Sequence, residues 1–93
     1  MYTIEKLSAM PYAQAKVYCF IDGATTLISY ATPVAHIDEE GWLEVYGLYS
    51  QTTRKHIGAF VKEYAGMSYQ VAKQIYTDGY KINIHTGEVV EVN

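Results

Sequence analysis

The hydrophobic period of this chain changes once, near Gly47, and that switch limits what the chain can fold into. From Lys16 to Tyr46 the apolar residues come in short β-branched and aromatic runs separated by turn residues. Lys16–Ile21 reads as a strand, because Val, Tyr, Phe and Ile suit a pleated, half-buried surface. Asp22-Gly23 follows as a two-residue turn, with Gly23 free to take the positive φ such turns need. Thr25–Tyr30 is the returning strand. Thr32–Ile37 is a third, with Pro33 at its start or on an edge, where no ladder donor is required. Trp42–Tyr46 is a fourth, beyond the polar Asp38-Glu39-Glu40-Gly41 loop; its Leu43 and Val45 alternate with Trp42, Glu44 and Tyr46. Residues 15–47 are expected to form an antiparallel β-meander of about four strands.

After Gly47 the period becomes helical. Ile57, Phe60, Val61 and Tyr64 recur at the spacing of one helical face. Thr52 or Thr53 suits the N-cap and Gly66 the C-terminal stop, so residues 52–65 read as an amphipathic helix packed on the meander. Met67–Tyr76 fits two patterns. As a strand, Tyr69, Val71, Lys73 and Ile75 alternate with polar or small neighbours. As a helix, Tyr69, Ala72, Ile75 and Tyr76 share a face between a cap at Ser68 and a stop at Gly79. Because cap and stop both fit, a second short helix over residues 68–77 is favoured. Residues 80–92 make a C-terminal hairpin through His85-Thr86-Gly87. Residues 1–15 are weakly patterned, with a loop or single turn over Ser8–Gln14. The expected architecture is one α+β domain over residues 1–93.

Ninety-three residues, 49% of them hydrophobic, can bury one small core, so the fold should be marginal and gain from association with a partner or as a homodimer. The single Cys19 excludes a disulfide framework and fits a reducing cytoplasm. No basic stretch followed by an apolar one opens the chain, and no run nears the roughly 20 apolar residues of a membrane span. A soluble cytoplasmic protein is expected, without membrane contact.

Charge is segregated along the chain. Between Val17 and Thr53 there is no Lys or Arg, while Asp22, Asp38, Glu39, Glu40 and Glu44 are all acidic. Between Arg54 and Lys81 the bases Arg54, Lys55, Lys62, Lys73 and Lys81 outnumber Glu63 and Asp78. A basic half of this kind can mark a polyanion-binding face, or simply a solvated one. Ten Tyr against two Phe and one Trp favour a binding protein, since Tyr joins a rigid apolar body to a polar tip.

Signals for chemistry are sparse. His36, His56 and His85 stand without a second ligand nearby in sequence, so no metal site is expected, and no cofactor motif is present. Gly23, Gly41 and Gly47 are isolated turn residues rather than a phosphate loop. Asp38, Glu39 and Glu40 lie at a wet loop tip, too solvated for general acid–base work. Ser50, Thr52, Thr53 and His56 crowd a helix start, with Thr52 and His56 one turn apart, which permits a small hydrolase using His56. Capping hydroxyls and a first-turn surface histidine explain the same residues, so this reading ranks last and the protein is taken as non-enzymatic. Thr52, Thr53, Arg54, Lys55 and His56 at that helix start also suit an anion. Phe60–Ile75 has the outline of a helix-turn-helix, with Gly66 in the turn, Ser68 as cap and Tyr69, Gln70 and Lys73 toward a major groove. Lys62 and Ala72 depart from that motif's buried pattern.

Thr26-Leu-Ile-Ser-Tyr-Ala-Thr-Pro-Val-Ala35 and Tyr49-Ser-Gln-Thr-Thr-Arg-Lys-His-Ile57 carry a family likeness. Over residues 15–65 the chain resembles a small domain of unknown function from phages and mobile elements, with a Ser-Tyr-x-Thr-x-Val-Ala strand and a Tyr-Ser-x-Thr-Thr-x-x-His helix start. The resemblance brings no activity. It implies a phage-type protein in the host cytoplasm, of a size often used for inhibitors or regulators of host machinery, anti-CRISPR proteins among them. Ser29, Tyr30, Thr32, Tyr49, Ser50, Thr53 and His56 are expected to gather, either as one hydrogen-bonded network fixing the helix on the sheet or as an exposed patch. The leading expectation is a protein that binds a host protein through Tyr30, Tyr49, Thr53, Arg54, Lys55 and His56. The alternative is a nucleic-acid-binding regulator using Ser68, Tyr69, Gln70 and Lys73.

Overall fold

The computed structural model of the chain describes residues 1–92. Its elements are β1 (Tyr2–Glu5), β2 (Ala15–Phe20), β3 (Thr25–Ser29), β4 (Thr32–Ile37), β5 (Trp42–Val45), α1 (Gln51–Phe60) continued by a π-helical turn (Val61–Ala65), α2 (Tyr69–Asp78), β6 (Tyr80–Asn83) and β7 (Val89–Glu91). All seven strands form one antiparallel sheet in sequence order. The expected meander of about four strands is thus only the middle of the sheet. The terminal hairpin joins it because β6 pairs with β5, Leu43 opposite Ile82, and the two helices are an excursion between neighbouring strands. β1 extends the other edge through pairs such as Ile4 with Tyr18.

Turn chemistry sets the register. In the β2–β3 loop Gly23 N–H donates to the Phe20 carbonyl and Gly23 has φ +99°, while Phe20 N–H reaches the Ala24 carbonyl. This is a three-residue loop with a left-handed glycine, one residue longer than the two-residue turn read from Asp22-Gly23. The β4–β5 loop repeats the device: Gly41 has φ +94° and its N–H donates to Asp38. At each loop an aspartate side chain accepts from backbone N–H groups, Asp22 within its loop from Ala24 and Asp38 before its loop from Glu40 and Trp42.

Alternation gives the sheet two unlike faces. Ala15, Val17, Leu27, Ala35, Ile37, Leu43 and Val45 are buried on the inner one. α1 covers β3 and β4, and α2 covers β5 and β6. The stripe Ile57, Phe60, Val61 is fully buried under α1, and Ala72 and Ile75 are buried under α2. Leu7, fully buried in the same core, comes from a segment that carried no pattern; two consecutive turns shape it, and Ser8 donates from N–H and Oγ to the Glu63 carboxylate. Among the described residues no helix covers the outer face. A row of Ile4, Tyr18, Thr26, His36 and Glu44 crosses it, and the Tyr2 ring stacks on Tyr18 at 5.0 Å and meets Phe20 at 5.8 Å.

Among the described residues no helix is long and apolar enough to cross a membrane.

Among the described residues one buried side-chain polar atom is unmatched. Thr25 Oγ1 has no hydrogen-bond partner, and such a hydroxyl retains its desolvation penalty. Thr25→Val replaces it with a methyl of similar shape and should raise stability by about 1 kcal/mol, read from the urea midpoint at constant m-value. A loss of stability would show that the hydroxyl is satisfied.

Candidate functional site

α1 follows β5 after the short segment 46–50, and its start is rich in hydroxyls. Ser50, not Thr52 or Thr53, is the N-cap: Thr53 N–H donates to Ser50 Oγ at 3.1 Å. Extended backbone at Ser50 lets its side chain turn back over the free donors of the first turn. From there a chain of contacts runs into the core. Ser50 Oγ donates to Thr53 Oγ1 (3.2 Å), Thr53 Oγ1 lies 3.0 Å from Ser29 Oγ, and Ser29 Oγ lies 2.9 Å from His56 Nδ1. With the imidazole neutral and protonated on Nε2, every hydroxyl donates once: Ser50 to Thr53, Thr53 to Ser29, Ser29 to Nδ1.

Ser29, Thr53 and His56 are 2%, 4% and 1% exposed. His56 is therefore not the surface residue its place in the first helical turn suggested; α1 is rotated so that Thr53, His56, Ile57 and Phe60 face the sheet. Tyr30 holds φ +58°, left-handed and uncommon for a side chain with Cβ. Its ring centroid lies 5.8 Å from that of His56. Tyr30 and Tyr49 are more than half exposed, and Thr32 is exposed outside the network. Burial lowers the His56 pKa below its ordinary 6.5, because desolvation penalises the cation.

Arg54, Lys55 and Lys73 gather elsewhere. Gln51, Arg54, Lys55, Gly58 and Lys62 recur at spacings of three and four, so they share a stripe of α1 and its extension, beside the buried stripe. α2 supplies Tyr69 and Lys73, one turn apart. Between the helices lies a cleft of about 480 Å³ lined by Gln51, Arg54, Lys55, Gly58, Tyr69 and Lys73. A second, about 600 Å³, is lined by Gly58, Lys62, Gly66, Met67, Ser68 and Tyr69. The two share Gly58 and Tyr69 and make one groove. Among the described residues it is lined by four cationic side chains and no carboxylate. Arg54 is positioned by donation from Nε to the Leu48 carbonyl at 3.0 Å.

The groove joins residues expected in separate surfaces: Arg54 and Lys55 from one, Ser68, Tyr69 and Lys73 from the other. Gln70 is exposed outside its lining. Gln51, Gly58 and Lys62 carry no individual signal; the signal is their shared helical stripe. Ser68 occupies the N-cap position of α2 without a capping bond from its hydroxyl. Among the described residues no cluster of three His, Cys, Asp or Glu could hold a metal.

The chain belongs to a family of proteins of unknown function (DUF8033), whose match runs over residues 4–80. That span takes in both helices and both motifs around Ser29 and His56. Neither a curated protein nor a solved structure matches the chain.

The buried imidazole makes stability pH-dependent with a definite sign. Above 6.5, the ordinary value, His56 is neutral in folded and unfolded chains alike and its contribution is complete. As pH falls below it, the unfolded chain takes up the proton first, so stability declines until the lower folded value is passed. His56→Asn, with an amide oxygen replacing Nδ1 as acceptor, should flatten that decline, compared by urea denaturation from about pH 7.5 to about pH 5. Ser29→Ala should cost about 1–3 kcal/mol by stranding its two partners. Equal acid sensitivity in wild type and His56→Asn would count against a buried neutral imidazole.

Proposed function

We propose that this chain is a non-enzymatic macromolecule-binding protein of phage or mobile-element type that takes an anionic partner, a nucleic-acid phosphodiester backbone, into the groove between α1 and α2. The observation that carries the reading is the groove lining: Arg54, Lys55, Lys62 and Lys73 on two walls with no acid among them. Cations held close without counter-charges repel one another, and a polyanion relieves that repulsion while releasing its condensed counterions. None of the acidic residues of the front half belongs to the lining, so the net charge of −3 does not oppose the contact at short range. The biological role proposed is regulation or inhibition of host machinery, with an anti-CRISPR-type action included.

The non-enzymatic part is supported by burial. Ser29 and His56 resemble a nucleophile and base in distance alone; both are sealed beneath α1, and their hydrogen bonds are used in holding it. A substrate would have to displace the helix to reach them.

A second reading rests on the outer sheet face. Tyr2, Ile4 and Phe20 are 52%, 49% and 36% exposed beside Tyr18, in one aromatic cluster. Such a cluster favours a protein partner. Tyr2→Ala with Phe20→Ala should then abolish capture of a host protein that the groove variants still bind; capture unchanged by both substitutions would remove this surface.

The groove reading is tested with a labelled mixed-sequence DNA duplex and a labelled single strand, by fluorescence anisotropy across salt. If three to four phosphates are neutralised, log K should fall against log salt with a slope of roughly −2 to −4. Lys55→Glu with Lys73→Glu should lower affinity by at least about tenfold, while both exposed positions leave the fold intact. No binding to either nucleic acid at low salt, or binding indifferent to the double reversal, would discard the groove.

A further inference from the structure

We propose that the groove selects single-stranded over duplex nucleic acid, with Tyr69 as the platform on which an unpaired base stacks; this rests on the polyanion reading above. Three features carry it.

The first is concavity. Arg54 and Lys55 stand on α1 and Lys73 on α2, so the cations face one another across a recess. A duplex is read by an element that protrudes into a groove about 12 Å wide. α2 does not stand clear in that way: Ala72 and Ile75 pin it to the sheet, and Tyr69 and Lys73 belong to the cleft wall. A flexible single strand can lie within such a recess, whereas a rigid duplex meets only its rim.

The second is the position of the aromatic ring. Tyr69 belongs to both clefts, with Arg54, Lys55 and Lys73 in the first and Lys62 in the second. An aromatic surface midway along a cationic track is how proteins hold single strands without reading sequence, since every base has a π face and a duplex keeps its faces stacked inside. A partner that supplied only charge would have no use for the ring.

The third is the floor. Gly58 is the other residue shared by both clefts, and it sits beside Tyr69. A Cβ there would stand 3.4 Å from Tyr69 Cβ, an ordinary contact. The glycine therefore relieves no clash, although it weakens a helix interior. Tyr69 Cγ and Cδ1 would stand 3.9 Å from the same Cβ, so the edge of the ring lies beside bare α1 backbone that lines both clefts. Gln51 at one end and Ser68 at the other add neutral hydrogen-bonding groups that suit sugar and base edges.

The experiment is competition between a labelled mixed-pyrimidine single strand and its duplex, at one salt concentration, for wild type, Tyr69→Ala, Tyr69→Phe and Gly58→Ala. Wild type should prefer the single strand by at least about tenfold. Tyr69→Ala should lower single-strand affinity by about 5- to 150-fold and leave duplex affinity nearly unchanged, and Tyr69→Phe should restore most of the loss. If Tyr69→Ala does not fold, Gly58→Ala carries the test: it should raise the melting temperature, as alanine does in a helix, yet weaken single-strand binding severalfold. Equal or tighter duplex binding, a Tyr69→Ala loss common to both ligands, or full single-strand affinity in a folded Gly58→Ala would overturn the proposal. Should duplex and single strand bind equally but both respond to Lys55→Glu with Lys73→Glu, stacking selection fails while the polyanion groove stands; should neither bind, both fail.

Discussion

The hydrogen-bond chain from Ser50 through Thr53 and Ser29 to His56 decides where α1 sits, and the rest of the helical layer follows from it. Apolar burial is non-directional and would allow the helix to roll on a sheet of Val, Leu and Ile. Buried hydroxyls and an imidazole do not allow that, because a small roll would strand several polar atoms at once in a low-dielectric interior. Ser29 offers one hydroxyl at the end of β3, and only one rotation of α1 brings Thr53 and His56 to it together. That rotation leaves Gln51, Arg54, Lys55, Gly58 and Lys62 on the flank toward α2. The network is thus a positioning device for the cationic stripe as well as a lock on the core.

The far end of the helix shows the same economy. A π-helical turn at Val61–Ala65 closes on the left-handed Gly66, whose N–H donates to the Val61 carbonyl. Phe60 and Val61 are both fully buried, and the Phe60 and Tyr64 rings lie 5.3 Å apart. The wider turn sets where the chain reverses, and so where Tyr69 meets Gly58. Burial raises the Tyr64 hydroxyl pKa to about 12, with Cys19 and Glu63 adding to the shift. Cys19 itself is half-buried under this end of the helical layer and has no partner thiol.

Much of the fold was legible because local signals agreed with the global one. The strands at Thr25–Ser29, Thr32–Ile37 and Trp42–Val45, the helical stripe from Ile57 and the stops at Gly66 and Gly79 all carried period and punctuation. The ambiguous stretch after Met67 is a helix, Tyr69–Asp78, bounded as its cap position and glycine indicated. Strand β1 was not legible: its four residues are all exposed on an edge, so no buried face imposed alternation. Leu7 was missed for the opposite reason, since a single buried leucine in a turn-rich segment has no period to display.

The sequence by itself determined the alternating strands, the helical stripes, the turn glycines and the separation of acidic from basic residues, because each is a property of near neighbours. Only tertiary structure decided that β1 and the terminal hairpin extend the meander to seven strands, that His56 is buried while Arg54 and Lys55 are not, and that bases from α1 and α2 line one recess with Tyr69. Those are relations between segments many residues apart. They are fixed by which polar groups must find partners once the sheet is roofed, and no local pattern records that requirement.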